Sequence, residues 1–422
     1  MYMKTHWKKK FVLIWIGQFM SLISSSAVNF AIIIWLSIEH ASAEVLAYSA
    51  IAGMLPAAVI GPFAGVYIDR WDRKKTMMLA DSFVALCTMV MSISFYMGHE
   101  SLFLIYLMLG LRSVGSAFHM PAMQAAIPMI APESELLRIA GVNQTIQSIS
   151  SIAGPAFGAL AISLMPIGNV LLLDIGGAVI AVGSLLFVHI PNPKIAEKAK
   201  ASFAQVWNDL QGGFREIMHN KGLMWLFLFS TVVTFCVMPI AVLFPLLTLN
   251  HFHGGKWEMS IIEMMWGVGM LVGGGLIGLF KPSLGKVLLI NCTYIVLGSS
   301  LAVSGYLPSG TFLIFAGLTV VGGVAAAVYN ACFMTVLQEE VRPELMGRVF
   351  SLYFSIAIIP TVLGLLGTGW AADAIGVNYL FIILGSLIAW IGVLSFFSKP
   401  LRTLSNGQNT RGDVTSKRGV GV

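Results

Sequence analysis

The chain has 422 residues, 57% of them apolar and 10% charged, with a net charge of +6 and a mean hydropathy of +0.85. Soluble domains carry about 25% charged residues, so a water-soluble globule is excluded. The cations are spread among loops instead of gathered on one stretch, so they report membrane topology and no nucleic-acid partner is expected.

The basic start, Met1–Lys10, leads into an apolar run too long for a signal-peptide core and not followed by a small-residue cleavage pattern. A retained first span is expected. At about 20 apolar residues per crossing, twelve segments qualify: 11–37, 44–68, 76–97, 101–121, 139–164, 168–190, 222–249, 259–280, 286–306, 310–336, 346–370 and 377–398. An even number returns the chain to its starting side. On that threading, all of the 25 Lys and Arg residues except Arg112 and Lys256 fall on one side, which the positive-inside rule makes cytoplasmic. The expected fold is an all-α integral membrane protein of 12 transmembrane helices in two six-helix, pseudo-symmetric halves, both termini cytoplasmic.

The halves run over 1–190 and 222–398. Between them, Phe203, Val206, Trp207, Leu210, Phe214 and Ile217 recur at helical steps, so 191–221 reads as a cytoplasmic amphipathic linker. The tail 399–422 reads as disordered. A faint repeat supports the two halves: Ala131-Pro132-Glu133 after span 4 matches Arg342-Pro343-Glu344 after span 10, an offset of 211 residues. Parallel repeats of this kind handle substrate at their interface. The four cysteines, Cys87, Cys236, Cys292 and Cys332, lie in apolar runs without ligand spacing, and buried free thiols are expected.

Polar residues inside the spans carry the chemistry. Span 1 has a stripe of Gln18, Ser21, Ser25 and Asn29. The loop after span 2 reads Gly65-Val-Tyr-Ile-Asp69-Arg70-Trp-Asp72-Arg73-Lys74-Lys75. Its glycine permits close helix approach, its Asp69 can meet a helix N-terminus, and its cations anchor at headgroups. A plain basic stop-transfer loop is the competing reading. Arg112 lies about 16 Å into span 4 by helical rise, where a cation costs about 2.5–3.5 kcal/mol and faces the bundle or a wet cavity. Gly115, Ser116 and His119 share its face. Span 5 carries Ser150-Ser-Ile-Ala-Gly154-Pro155-Ala-Phe-Gly158, a proline kink with small residues for close packing. Asp174, Glu263 and Asp81 are acids near or within spans, either proton carriers or solvated helix-end residues. Gln144 and Gln147 of span 5, with Phe235, Met238, Tyr329 and Asn330 of spans 7 and 10, line a cavity or act as interhelical glue. Met and aromatic neighbours suit a large amphipathic ligand.

The loop after span 2 resembles the signature of the major facilitator superfamily, with Asp72 where that family usually has glycine. The resemblance implies proton coupling at Arg112, although Gly115-Ser116 replaces the usual Gln-Gly. Gly154-Pro155-x-x-Gly158 resembles the span-5 signature of the superfamily's drug/proton antiporters, with Ser150 for its first glycine. Trp15-x-Gly17-Gln18, Gly61-Pro-x-x-Gly65, Arg112-Ser-Val-Gly-Ser-Ala-Phe-His119, Met238-Pro239 and Gly347-Arg-Val-Phe resemble the macrolide-efflux branch, and such matches run from residue 7 to about 380. This implies proton-driven export of 14- and 15-membered macrolides across the bacterial cytoplasmic membrane by a monomer among lipids, sometimes beside an ATP-binding resistance partner.

A phosphate loop is missing. The nearest approach, Gly285-Lys286, has Phe280 at the first glycine position and Val287 after the lysine, so the chain is read as a secondary transporter without cofactor or metal, and not as an enzyme. On this reading Arg112, Asp174, Glu263 and Asp81 couple protons, and Gly65, Asp69, Arg70, Arg73 and Lys74 form the gating loop. Ser150, Gly154, Pro155 and Gly158 mark export. Gln18, Ser25, Asn29, Ser116, His119, Gln144, Gln147, Phe235, Met238, Tyr329 and Asn330 line the substrate cavity. Export of tetracycline or another amphipath is the alternative, and a channel or lipid-handling protein the competing class.

Overall fold

The computed structural model describes residues 7–68, 71–132, 136–190, 211–212, 214–280, 285–341 and 346–405. Among them every regular element is a helix: α1 Trp7–Glu39, α2 Ala43–Ile68, α3 Arg73–Tyr96, α4 Leu102–Ile130, α5 Leu136–Leu164, α6 Ile167–Leu186, α7 Lys221–Leu246, α8 Lys256–Phe280, α9 Lys286–Tyr306, α10 Phe312–Glu340, α11 Met346–Ile375, α12 Val377–Phe397 and α13 Lys399–Ser405. Among the described residues, eleven helices are long and apolar enough to cross a membrane. In α5 the apolar stretch among the described residues is Ile152–Leu164. Large apolar side chains such as Phe103, Phe187, Tyr306, Leu313 and Trp390 are largely exposed, as a lipid-facing surface requires.

Helix ends depart from the apolar runs where packing, and not hydropathy, decides them. The apolar run of the fourth span ends at 121, yet α4 continues through Pro121 to Ile130, burying Ala122, Met123 and Ala126 in a cluster with Ile14, Trp15 and Met77. The eleventh continues from 370 to Ile375 and ends at Gly376, whose φ of 90° suits the turn. The sixth stops earlier, at Leu186 instead of 190. The tail from 399, which reads as disordered in sequence, instead begins with α13, which buries Leu401 and Leu404 and packs against α9; residues 406–422 lie outside the described residues. Of the linker, 211–212 and 214–219 are helical, with Ile217 buried and Phe214 half-exposed, while Phe203, Val206, Trp207 and Leu210 fall outside the described residues. Cys87, Cys236 and Cys332 are buried, but Cys292 is exposed, so the run of apolar neighbours around it marks an outer helix face.

Two compact units divide the chain. The first joins residues 1–202 with Ala241–Gly267 and Leu365–Val377, so the second part of α7 and the first part of α8 pack with α1 to α6. Here α1 lies against α5 and α6, and α4 against α2 and α3. The second unit joins Phe203–Ile240, Val268–Gly364 and the chain from Asn378. Within it α9 packs on α10 and meets α12 at Gly298 and Gly385.

Candidate functional site

Four helices of the first unit each contribute polar side chains at a common depth. Arg112 of α4 is buried; its Nη1 donates to Asp174 of α6 and to Thr88 of α3, and its Nη2 donates to Asn29 of α1 at 3.2 Å. Asp174, also buried, accepts from Ser25 Oγ of α1, and Thr88 Oγ1 stands 2.7 Å from its Oδ2. An isolated charge here would be expensive. A pair with its remaining valences hydrogen-bonded is the form in which such a charge persists.

A cavity of about 340 Å³ opens beside the pair, at the small end of the range of about 300–1,000 Å³ for ligand pockets. Arg112, Ser25, Asn29, Ser49, Ser113 and Ser116 form its polar wall, and Ile32, Ile33, Leu46, Val84, Leu109 and Val242 its apolar one. Glu263 of α8 completes the lining. No hydrogen bond or ion pair joins the Glu263 carboxylate to another described residue. It is therefore the acid in this site free to change partner.

Of the expected cavity residues, Ser25, Asn29 and Ser116 reach this space. Gln18 and His119 do not: both are buried about Asp81, a separate cluster in which Gln18 Nε2 lies 3.5 Å from Asp81 Oδ2 and His119 Nε2 3.3 Å from Oδ1. The direction of each side chain off its helix decides this, which spacing along one helix does not show. The side chains of Gln144 and Gln147 are outside the described set. Phe235, Met238, Tyr329 and Asn330 belong to the second unit, where Tyr329 Oη donates to Ser230 Oγ at 2.8 Å and Asn330 is exposed.

In α5, Ser150 is buried with its hydroxyl unpartnered among the described residues. A Cβ on Gly154 would stand 2.0 Å from Ser26 Oγ, and one on Gly158 2.4 Å from the Ala27 carbonyl oxygen, so these glycines set how closely α5 approaches α1. The Pro155 carbonyl accepts from Ser260 Oγ of α8 at 3.0 Å. Sequence reasoning missed Thr88, Ser49 and Ser113. Only Ser113 left a signal: Pro56 interrupts the α2 ladder, and the Ala57 amide donates to Ser113 Oγ at 3.0 Å.

The family model described as Major Facilitator Superfamily matches residues 14–357. The chain belongs to this superfamily. It is 38% identical over 400 residues to macrolide efflux protein A of Streptococcus pyogenes, covering 94% of this chain and 98% of that protein. Over 325 residues it is 39% identical to macrolide efflux protein A of Enterococcus faecalis, covering 77% and 99%. Among solved structures, an inward-facing bacterial homologue of the iron transporter ferroportin aligns with a TM-score of 0.71 at 14% identity, covering 92% of this chain and 98% of that one. That likeness shows the fold alone. Membership makes the chain a multi-pass membrane transporter and not an enzyme.

The superfamily's loop after the second helix is partly described here. Asp69 and Arg70 lie outside the described residues, as does the side-chain environment around Gly65. Asp72, the departure from the family glycine, is the N-cap of α3: its Oδ1 accepts from the Lys75 amide at 3.1 Å. Arg73 opens α3 and is buried, and Lys74 Nζ donates to the Leu186 carbonyl at 3.2 Å, tying α3 to the end of α6.

Proposed function

We propose that this chain exports macrolide antibiotics across the bacterial cytoplasmic membrane by alternating access, in exchange for protons. The observation that carries the reading is 38% identity to macrolide efflux protein A over 94% of this chain. The half-polar, half-apolar cavity supports an amphipathic substrate. In this reading the helices make a twelve-span bundle of two six-helix halves with both termini inside, and the basic starts of α1 and α3 face the cytoplasm together with the end of α4. The pump works as a monomer in lipid, without cofactor.

The acids divide by commitment. Asp174 is held by Arg112, Thr88 and Ser25, so it changes protonation only when that network rearranges. Glu263, facing the cavity without a partner among the described residues, takes the exchanged proton when substrate is absent and yields it when substrate loads. Antiport is energetically sufficient: about 2.3 kcal/mol per charge at 100 mV and about 1.4 kcal/mol per pH unit sustain between two and three decades of substrate gradient per proton.

Expression in a pump-deficient bacterial host tests this. Raised resistance to erythromycin with lowered accumulation, abolished by an uncoupler, is the expected result. Resistance to tetracycline without resistance to erythromycin overturns the substrate. Export that survives the uncoupler but stops on ATP depletion overturns the proton and points to an ATP-binding partner.

A further inference from the structure

Seven residues below Ser25, Thr88 and Arg112, toward the basic starts of α1 and α3 and the end of α4, stand Gln18, Asp81 and His119. Seven residues are two helical turns, about 10 Å, so α1, α3 and α4 carry two polar levels in matching register. The upper level is the Arg112–Asp174 pair. The lower level is a buried carboxylate and a buried imidazole 3.3 Å apart, with the Gln18 amide on the other carboxylate oxygen. Between the levels α3 and α4 close up: a Cβ on Gly115 would lie 2.7 Å from Val84 Cγ2. Below the lower level lies the apolar cluster of Ile14, Trp15, Met77, Ala122 and Met123.

We propose that Asp81 and His119, oriented by Gln18, form a second proton-binding station, between the Arg112–Asp174 level and the cytoplasm. The inference rests on the export reading and its topology. Interhelical glue needs only neutral amides and hydroxyls, which the upper half of α1 supplies in Ser25 and Asn29. Two titratable groups sealed in a membrane bundle are costly and mark proton handling. The cluster is also incompletely satisfied as it stands. Gln18 Oε1 has no hydrogen-bond partner among the described residues, and His119 Nε2 faces Asp81 out of hydrogen-bond alignment.

One proton resolves both defects. Bound at Asp81, it makes a hydroxyl donor, and rotation of the Gln18 amide by half a turn presents Oε1 to receive it. Transferred across the gap to His119 Nε2, it leaves a carboxylate facing an imidazolium, with Gln18 Nε2 donating to the carboxylate again. Gln18 is thus a positioning residue that serves either state. On the inward path the proton passes from the upper level to this station and leaves to cytoplasmic water when the layer below opens.

Few other charges compete for this proton. On α3 the flanking groups are Arg73, Lys74, Lys75 and Cys87, on α4 Arg112, and on and after α6 Asp174 and His189. Helix α1 has no titratable residue between Lys10 and Glu39; α2 has no acid, base or histidine between Glu44 and Ile68, nor has α5 after Arg138.

Infrared difference spectroscopy across a pH series, on full-length protein in nanodiscs without substrate, reads the station directly. The protonated-carboxyl band should lose one component in Asp81→Asn, and that component should move by a pH unit or more, tenfold in proton affinity, in His119→Gln. Asp81→Glu should restore it. In proteoliposomes the pH profile of erythromycin export should lose one titrating step in either variant, while erythromycin binding at fixed pH stays within about twofold. Spectra of Asp81→Asn and His119→Gln that titrate like wild type overturn the station, and His119→Gln decides alone if Asp81→Asn does not fold. A band that responds while the export profile does not overturns its place in coupling. Wild-type protein that exports no erythromycin overturns the substrate reading, and the infrared titration still decides whether the station binds a proton.

Discussion

Arg112 and Asp174 are both buried and bonded to each other, so removing one has a different consequence from removing both. Arg112→Ala or Asp174→Asn strands the partner without its counter-charge, and each is expected to lower stability by about 3–5 kcal/mol. The double substitution Arg112→Met with Asp174→Leu leaves no stranded charge. It should recover most of the thermal stability measured in detergent, yet still fail at uncoupler-sensitive erythromycin export. A double variant that exports like wild type reduces the pair to scaffold. Arg112 was legible in the sequence because no other cation interrupts an apolar run so deeply. Asp174 was legible as a candidate acid, but its pairing with Arg112 was not: counted along α6 it is seven residues past Ile167, and only the packing of α6 on α1 and α3 brings it to the depth of Arg112. Thr88 was less legible still, a lone hydroxyl that matters through what faces it.

At the scale of the helix, small residues decide approach. Gly176 and Gly177 are neighbours on α6, yet a Cβ on Gly176 meets nothing within 4 Å, whereas one on Gly177 would stand 1.9 Å from Ser24 Oγ and 3.2 Å from the Met20 carbonyl oxygen. Gly176→Ala is therefore expected to be neutral or to raise stability by up to about 1 kcal/mol, the glycine-to-alanine helix difference. Gly177→Ala should lower it by about 1–3 kcal/mol through overpacking against α1. Thermal melts of the two variants in one detergent check the contrast, and equal melting temperatures would contradict the close α1–α6 packing. The sequence marks both positions identically as glycine in an apolar run. Which one touches α1 depends on the rotation of α6 about its axis, set by its neighbours. The same limit explains the ends: hydropathy located the spans to within a few residues, but the extension of α4 through Pro121 and the formation of α13 follow from the burial of Ala122, Met123, Leu401 and Leu404, which no local pattern announces.

For the whole transporter, the proposed alternating access requires that contacts closing one side of the cavity break in each cycle, and the first compact unit holds a candidate seam. The start of α8 is tied to α5 at two levels: Lys256 Nζ donates to the Ile162 carbonyl at 2.9 Å and Ser260 Oγ to that of Pro155 at 3.0 Å. One turn beyond Glu263, a Cβ on Gly267 would stand 2.5 Å from Ile152 Cγ1. Side-chain donors reaching backbone carbonyls make a seam that can part without stranding two charges, because water replaces each donor as the helices separate. On the proposed topology this seam lies at the outer face, on the helix that carries the export signature and one turn from the Glu263 carboxylate. Its opening is then the release step. Fixing it should stop export. With the four native cysteines replaced, Ile162→Cys combined with Lys256→Cys, joined by a short reducible thiol cross-linker, is expected to abolish erythromycin export from proteoliposomes and to regain it when the linker is cleaved. Each single cysteine variant, treated identically, should keep most of its activity. Undiminished export by fully cross-linked protein would mean that α5 and α8 stay together throughout the cycle and that substrate leaves by another route.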